Sequence, residues 1–300
     1  MNTKQNTKQC PACGTPFESA ALRCKDHSVS GEWFDVFVCR RCGFASTEPQ
    51  PSPETIGKYY ASDAYVSHSD TRKGIVNKLY HLVRIKNAAN KVNLVARLLP
   101  EGGELADAGC GTGYFLAACA RRGWKVEGVE PNDAARAIAE SRIGKPLFGS
   151  LSDAESAGRR FDVVTLWHVF EHLHDPNASI ALLKRLLKPG GTLILALPDR
   201  LSDDATHYGE HWAAYDVPRH LSHFTPLALR LLAEKHGFSL ENTTPMKFDA
   251  YYVSMLSEGL KGVGGTRAFV NGLIRGARSN RKAAGNGHYS SLIFELRIRN

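Results

Sequence analysis

Three hundred residues, 43% hydrophobic and 23% charged, suit one large globular domain or one plus a small appendage, and exclude a disordered or fibrous chain. The formal charge of +8 is uneven: from Gly259 to Asn300 eight Lys or Arg side chains face Glu295 alone, so +7 sits in the tail and +1 in the rest. A uniformly basic nucleic-acid surface is therefore not indicated, which leaves a local anion site in the tail or a solvated basic face.

No apolar run approaches the roughly 20 residues of a membrane helix. The first residues, Met1–Gln9, are polar and lack the apolar stretch of a signal peptide, so a cytoplasmic protein with no membrane span is expected. Four of the seven cysteines form two CxxC pairs, Cys10/Cys13 and Cys39/Cys42. Each pair presents two thiolates on a tight turn, and two such turns complete a tetrahedral zinc site. A closed four-cysteine shell leaves no open position, so the zinc would be structural. Cys24 and His27 offer an alternative ligand pair, which we place outside the shell. A redox role fits less well, because neither pair opens a thioredoxin-like helix.

Residues 1–46 thus form a zinc-ribbon-like module. Residues 47–103 hold a proline-rich linker, Thr47–Pro53, and two helical patterns, Pro53–Tyr60 and Lys73–Leu99. From 104 to 300 strands and helices alternate. The strands are Glu104–Ala108, Lys125–Glu130, Pro146–Phe148, Phe161–Trp167, Thr192–Leu197, Leu240–Thr244 and Ser291–Ile298. The helices are Tyr114–Arg122, Asp133–Arg142, Asn177–Leu187 and Pro226–His236, with Thr225 as a cap for the last. This alternation implies a mostly parallel sheet covered on both faces. A polar, His-rich loop runs from Pro198 to His223.

The segment from Glu104 to Phe115 carries a short strand into Gly109, Gly111 and Gly113 and then into a helix. Glycine admits positive φ and close backbone approach, and the helix start offers free N–H groups, a combination that fits a nucleotide-like ligand. The spacing is GxGxG, not GxGxxG, which disfavours a dinucleotide pyrophosphate. At the end of the second strand Glu130 can accept hydrogen bonds from both hydroxyls of a ribose.

Asp107-Ala-Gly-Cys-Gly-Thr-Gly113, Glu130-Pro-Asn132, Phe161-Asp-Val-Val164, Trp167–Leu173 and Leu187–Ile194 together resemble the successive motifs of class I S-adenosylmethionine-dependent methyltransferases, over roughly residues 55 to 300. The resemblance implies a Rossmann-like, doubly wound, mostly parallel seven-stranded α/β sheet beside the small ribbon, and S-adenosylmethionine as cofactor. It puts Asp107 near the amino-acid part of that cofactor, Glu130 and Pro131 at the ribose, Ser150 and Leu151 near the adenine, and Trp167 at the adjoining strand end. Many members have an acidic residue where Ser150 stands.

His168-Val-Phe-Glu-His172 follows a strand at its carboxyl end, the functional edge of an open parallel sheet. It resembles a stretch of quinone-biosynthesis O-methyltransferases in which two carboxylates and a histidine can hold a divalent cation, but here the first position is His168. Glu171 and His172 either shape the acceptor pocket, serve as base or acceptor contact, or ligate a metal. In the second cluster His211, His220 and His223 are interleaved with Trp212, Tyr215 and Arg219, as in an acceptor lid; the plainer alternative is a packed polar loop with Arg219 paired to Asp216. His168 ranks first as general base, then His220, with His172 and His223 as the other candidates.

The expected activity is methyl transfer, O-methylation favoured, to a small-molecule or carrier-bound acceptor. An RNA methyltransferase holding RNA with ribbon and tail is the main rival, and a non-catalytic zinc-ribbon interaction protein the other. Oligomeric state is not legible.

Overall fold

The structure is a computed structural model that describes residues 8–60 and 89–299. The expected helix Lys73–Leu99 lies partly outside them; its described end, residues 89–98 (α1), is helical. In place of the short helix expected from Pro53 there is a single 3-10 segment, Ile56–Tyr60.

Strand order in the larger sheet is β5-β4-β6-β7-β10-β9. Here β4 is Glu104–Ala108, β5 Lys125–Val129, β6 Phe161–Trp167, β7 Leu187–Pro198, β9 Phe238–Pro245 and β10 Ser291–Ile298. The first four are parallel, and β10 runs antiparallel to both β7 and β9. Among the described residues this sheet has six strands where seven were expected. The seventh, Pro146–Phe148, is reduced to one parallel bridge between Phe148 and Val129. The N–H of the preceding Leu147 is diverted to the Glu140 carboxylate at 2.9 Å, so pairing stops at that residue. Both faces of β7 are buried: Leu193, Leu195 and Leu197 enter one core cluster, Ile194 and Ala196 the other.

Helices follow their caps. Asn132 caps α3 (Asp133–Ile143), with Tyr114–Ala120 as α2 before it; Ser150 caps α4 (Leu151–Ser156) and Asp175 caps α5 (Pro176–Arg185). The 198–223 loop contains a short helix, α6 (Asp203–Tyr208), and Thr225 caps α7 (Pro226–Lys235) as its sequence predicts. The sequence pattern left the tail before β10 unassigned. It forms a helical hairpin, α8 (Asp249–Leu260) and α9 (Gly265–Asn286). Gly272 and Gly276 let the two backbones meet: a Cβ on either would lie 2.7 Å from the Cα of Met255 or Tyr251.

The ribbon is a four-stranded antiparallel sheet in the order β1-β2-β3-β8, with β1 at Ala20–Lys25, β2 at Trp33–Val38, β3 at Ala45–Glu48 and β8 at Ser222–His223. The boundary expected at residue 46 falls inside β3, and the last strand comes from the His-rich loop. Phe44 packs edge-on against Phe224 at 5.2 Å, and the Thr225 hydroxyl donates to the Cys42 carbonyl at 2.7 Å. The ribbon and the larger sheet therefore share one core.

Candidate active site

All three glycines of the β4–α2 loop have positive φ, 69°, 53° and 76° for Gly109, Gly111 and Gly113. A Cβ on Gly109 would lie 2.5 Å from Val169, and one on Gly113 3.0 Å from Ala139, so these two are demanded by packing. A Cβ on Gly111 would meet nothing within 4 Å, so Gly111 alone faces open space, where a ligand can approach the backbone.

Glu130 borders that space. Glu130, 8% exposed, accepts the Gly111 N–H at 2.8 Å on one oxygen and the Asn132 N–H at 2.9 Å on the other, which leaves a lone pair on each. Arg136, which the sequence did not single out, donates to the Glu130 carbonyl at 2.7 Å. Asp107 is buried and accepts from the Thr165 hydroxyl at 2.6 Å; burial pushes its carboxyl up to about 7. Trp167 stacks edge-on with Phe115 at 5.3 Å, with the Lys91 ammonium 4.4 Å from its ring centre. Pro131 is exposed and Leu151 half-buried. The Ser150 hydroxyl caps α4 by accepting the Asp153 N–H at 3.1 Å, so it is engaged locally.

The strand end beside this loop carries the histidines. Val169 rests on Gly109, and His168 before it has φ 56°, rare for a residue with a side chain. That turn sets the imidazole between two carboxylates: Nε2 lies 3.1 Å from Asp249 and Nδ1 3.4 Å from Glu171. Burial lowers the imidazole pKa, but Asp249 and Glu171 outweigh it and push it up to about 9. The two carboxylates thus favour the protonated imidazole. Asp249 carries no sequence signal, because it opens a helix the pattern did not reveal.

Glu171 is 1% exposed and ion-paired to the His168 ring at 3.4 Å, beyond which neither carboxylate oxygen accepts a hydrogen bond among the described residues. Burial pushes its pKa up, but His168 and the other neighbouring imidazoles hold it below the usual carboxylate range. Carbonyls accept from two of the rings: His172 Nδ1 lies 3.0 Å from the Arg219 carbonyl and 3.0 Å from the Tyr60 hydroxyl, and His220 Nδ1 lies 2.9 Å from the Ala214 carbonyl. With Nδ1–H donating, each Nε2 keeps a lone pair. Glu171, His172 and His220 offer ligand atoms within 4.8 Å of one another. Burial and the neighbouring His220 bring His172 down to about 4.

His223 borders the same small cavity as Glu171 and His220. It lies in β8, 4% exposed, with Nε2 2.9 Å from the Thr47 hydroxyl, and burial holds its pKa well below the usual range. That bond ties it to the ribbon. Arg219 is 1% exposed and forks onto Asp216 at 2.6 and 3.0 Å, with Asp26 at 3.2 Å and the Tyr59 carbonyl at 2.9 Å. The packed polar loop is therefore what forms, extended by Asp26 of the ribbon.

In the ribbon Gly14 and Gly43, both at φ 75°, close the two knuckles, each donating to the first cysteine carbonyl of its pair at 2.8 Å. Cys10, Cys13, Cys39 and Cys42 offer sulfurs within 4.8 Å of one another. The Cys42 thiol beside Cys10 pulls Cys10 down to about 5. Cys24 lies apart, in a different apolar cluster.

Several known proteins are similar to this chain. Ubiquinone biosynthesis O-methyltransferase of Alkalilimnicola ehrlichii is 34% identical over 107 residues, 33% of this chain and 43% of that protein. The protein of that name from Xanthomonas axonopodis pv. citri is 30% identical over 184 residues, 55% of this chain and 76% of that protein. The chain thus spans less than half of the first relative and about three quarters of the second. Magnesium protoporphyrin IX methyltransferase of Synechocystis PCC 6803, solved with bound SAH, superposes with a TM-score of 0.53 at 19% identity over 80% of this chain and 96% of that one, which shows the shared fold. The sequence profile of the methyltransferase domain family matches residues 79–243, more than half of the chain. The chain belongs to the methyltransferase domain family.

Proposed function

We propose that the chain methylates a hydroxyl oxygen of a small-molecule or carrier-bound biosynthetic acceptor. The contact of Val169 on Gly109 carries this reading, because it sets the His168 and Glu171 strand end against the glycine loop. The shared name of the two relatives, an O-methyltransferase of ubiquinone biosynthesis, supports it.

S-adenosylmethionine would lie over Gly111, its ribose hydroxyls on the free lone pairs of Glu130, its amino-acid end toward Asp107 and Trp167. The acceptor oxygen attacks the methyl carbon in line, the carbon–sulfur bond breaks, and its electron pair stays on sulfur as S-adenosylhomocysteine leaves. The acceptor proton is lost to solvent at this edge. The His168 imidazolium, held between Asp249 and Glu171, puts positive charge at this edge, which favours the ionised form of the acceptor. The remaining work is alignment.

The cation implied by the quinone-methyltransferase resemblance fits Glu171, His172 and His220 better than a set containing His168: the first three hold ligand atoms within 4.8 Å of one another, whereas His168 is engaged by Asp249. Such a cation would polarise an acceptor oxygen. The four thiols of Cys10, Cys13, Cys39 and Cys42 fit a structural zinc that ties the knuckles against β7 and α7.

Purified protein given methyl-labelled S-adenosylmethionine, with a metabolite extract in one arm and total RNA in the other, tests the acceptor class. Label in hydroxylated small molecules is the expected result. Label confined to RNA would overturn the proposal in favour of the rival acceptor.

A further inference from the structure

The basic tail takes no part in the chemistry above. Some of its charge is spent internally: Arg275 and Lys282 pair with Asp203, and Arg299 with Glu234. Of the remainder, Arg267, Arg278 and Arg281 lie on one face of α9. Arg267, Val270, Ile274, Ala277, Arg278 and Arg281 recur at three- and four-residue spacing and are all exposed. Ile274 is 65% exposed, Val270 46% and the adjoining Leu273 38%. The three arginines make no ion pair among the described residues, and α9 contains no Asp or Glu. The opposite face is fixed: Gly272 and Gly276 lie on α8, and Ser279 donates to Asp204 at 2.7 Å. The hairpin thus presents aliphatic side chains between unpaired arginines on a rigid support.

We propose that the outer face of α9 docks the enzyme on an anionic lipid surface, with Val270, Leu273 and Ile274 entering the headgroup–acyl boundary and Arg267, Arg278 and Arg281 on lipid phosphates. The occupant follows from the pattern. A second copy meeting this face about a two-fold axis would set arginines against arginines, and three aliphatic side chains fall far below the roughly 800 Å² per partner of a stable interface. A polynucleotide would be gripped by arginine with stacking aromatics, and the exposed positions of this face hold none. No helix among the described residues is long and apolar enough to cross a membrane, so α9 lies on the surface.

Vesicle flotation of the full chain tests this, with pure phosphatidylcholine in one arm and phosphatidylcholine with phosphatidylglycerol in the other. Binding to the anionic vesicles alone is expected, weakening with salt. Arg278→Glu together with Arg281→Glu should lower partitioning roughly twentyfold or more, and Ile274→Glu roughly tenfold, since both the basic and the apolar parts contribute. Neither variant should change thermal stability by more than a degree or two, nor S-adenosylmethionine affinity. Equal binding to neutral vesicles, absence of binding to either, or vesicle binding untouched by the variants overturns the proposal. So does retention on RNA that falls with the arginine reversals while anionic vesicles are ignored, or a concentration-dependent dimer broken by Ile274→Glu.

Discussion

The glycine loop and the 198–224 loop lie on one edge of the same sheet and are built by opposite means. The hydrogen bonds that shape the first around Glu130 are close in sequence, 19 residues to Gly111 and 2 to Asn132, with Val169 packing on Gly109 from farther along the chain. Those of the second bridge the molecule, with Thr47 and His223 separated by 176 residues and Asp26 and Arg219 by 193. A locally encoded pocket can keep its shape while its surroundings vary. The histidine wall is an interface: it has its form only because the ribbon is pressed against the body.

The hardest test of that contrast is Arg219→Met. It leaves Asp26 and Asp216 without their cation inside the ribbon–body junction. Stranding buried charge costs about 3–5 kcal/mol. The loss should appear in the denaturation midpoint and in early proteolysis of residues 8–60, while the glycine loop still binds S-adenosylmethionine in the surviving folded fraction. A loss under about 1 kcal/mol would mean the ribbon is a separable appendage and the contrast is wrong.

Within the glycine loop the three positions should part company. Gly109→Ala pushes a methyl group to 2.5 Å from Val169 at φ 69°, so stability should fall by about 2–4 kcal/mol. Gly111→Ala meets open space and bears only the backbone cost of about 1–2 kcal/mol. Its effect should fall instead on the cofactor, with affinity down at least roughly tenfold because the methyl group occupies the approach. Calorimetric titration beside thermal denaturation separates the two; equal affinity loss per unit of stability at both sites would erase the distinction. Glu130→Ala comes next. Removing hydrogen bonds to a charged group costs about 1.5–3 kcal/mol, so the S-adenosylmethionine Kd should rise about 10- to 100-fold. An unchanged Kd would place the ribose elsewhere.

Legibility in the sequence follows the same division. The strand ends of β4, β6 and β10 coincide with the sequence pattern because each is an apolar run bounded by a turn signal. The glycine spacing and Glu130 are equally local. Three things were not legible. The hairpin α8–α9 has its small residues where a core stripe would carry large ones: Gly272, Gly276, Ser279 and Ala283 are the buried positions of α9, and Ala250, Ser254, Ser257 and Glu258 those of α8, so the usual apolar periodicity is absent. Ser222–His223 is too short to read as a strand and exists because β3 offers it an edge. The partner of His168, Asp249, lies 81 residues away, so the ion pair at that strand end could not be read from the local pattern.

The smallest effect sets two neighbouring histidines against each other. His168 is raised from 6.5 to about 9, so its ion pair stabilises the fold fully below pH 6.5 and is lost as pH rises through 9. His172 is depressed to about 4, so folding opposes its protonation and stability falls as pH drops from 6.5 toward 4. The His168 side chain keeps 32% exposure, and solvent screening limits its share to about 1 kcal/mol. Asp249→Asn should therefore flatten the alkaline limb of a melting-temperature profile and leave the acid limb alone, while His172→Gln does the reverse. If the charged His168 is also the working form, turnover should decline as pH rises through 9, and in Asp249→Asn that decline should move toward neutrality. Turnover that instead rises through pH 9 would show a deprotonated imidazole at work and restore His168 as a base. An alkaline stability limb unchanged in Asp249→Asn would mean that another group holds the charge on His168.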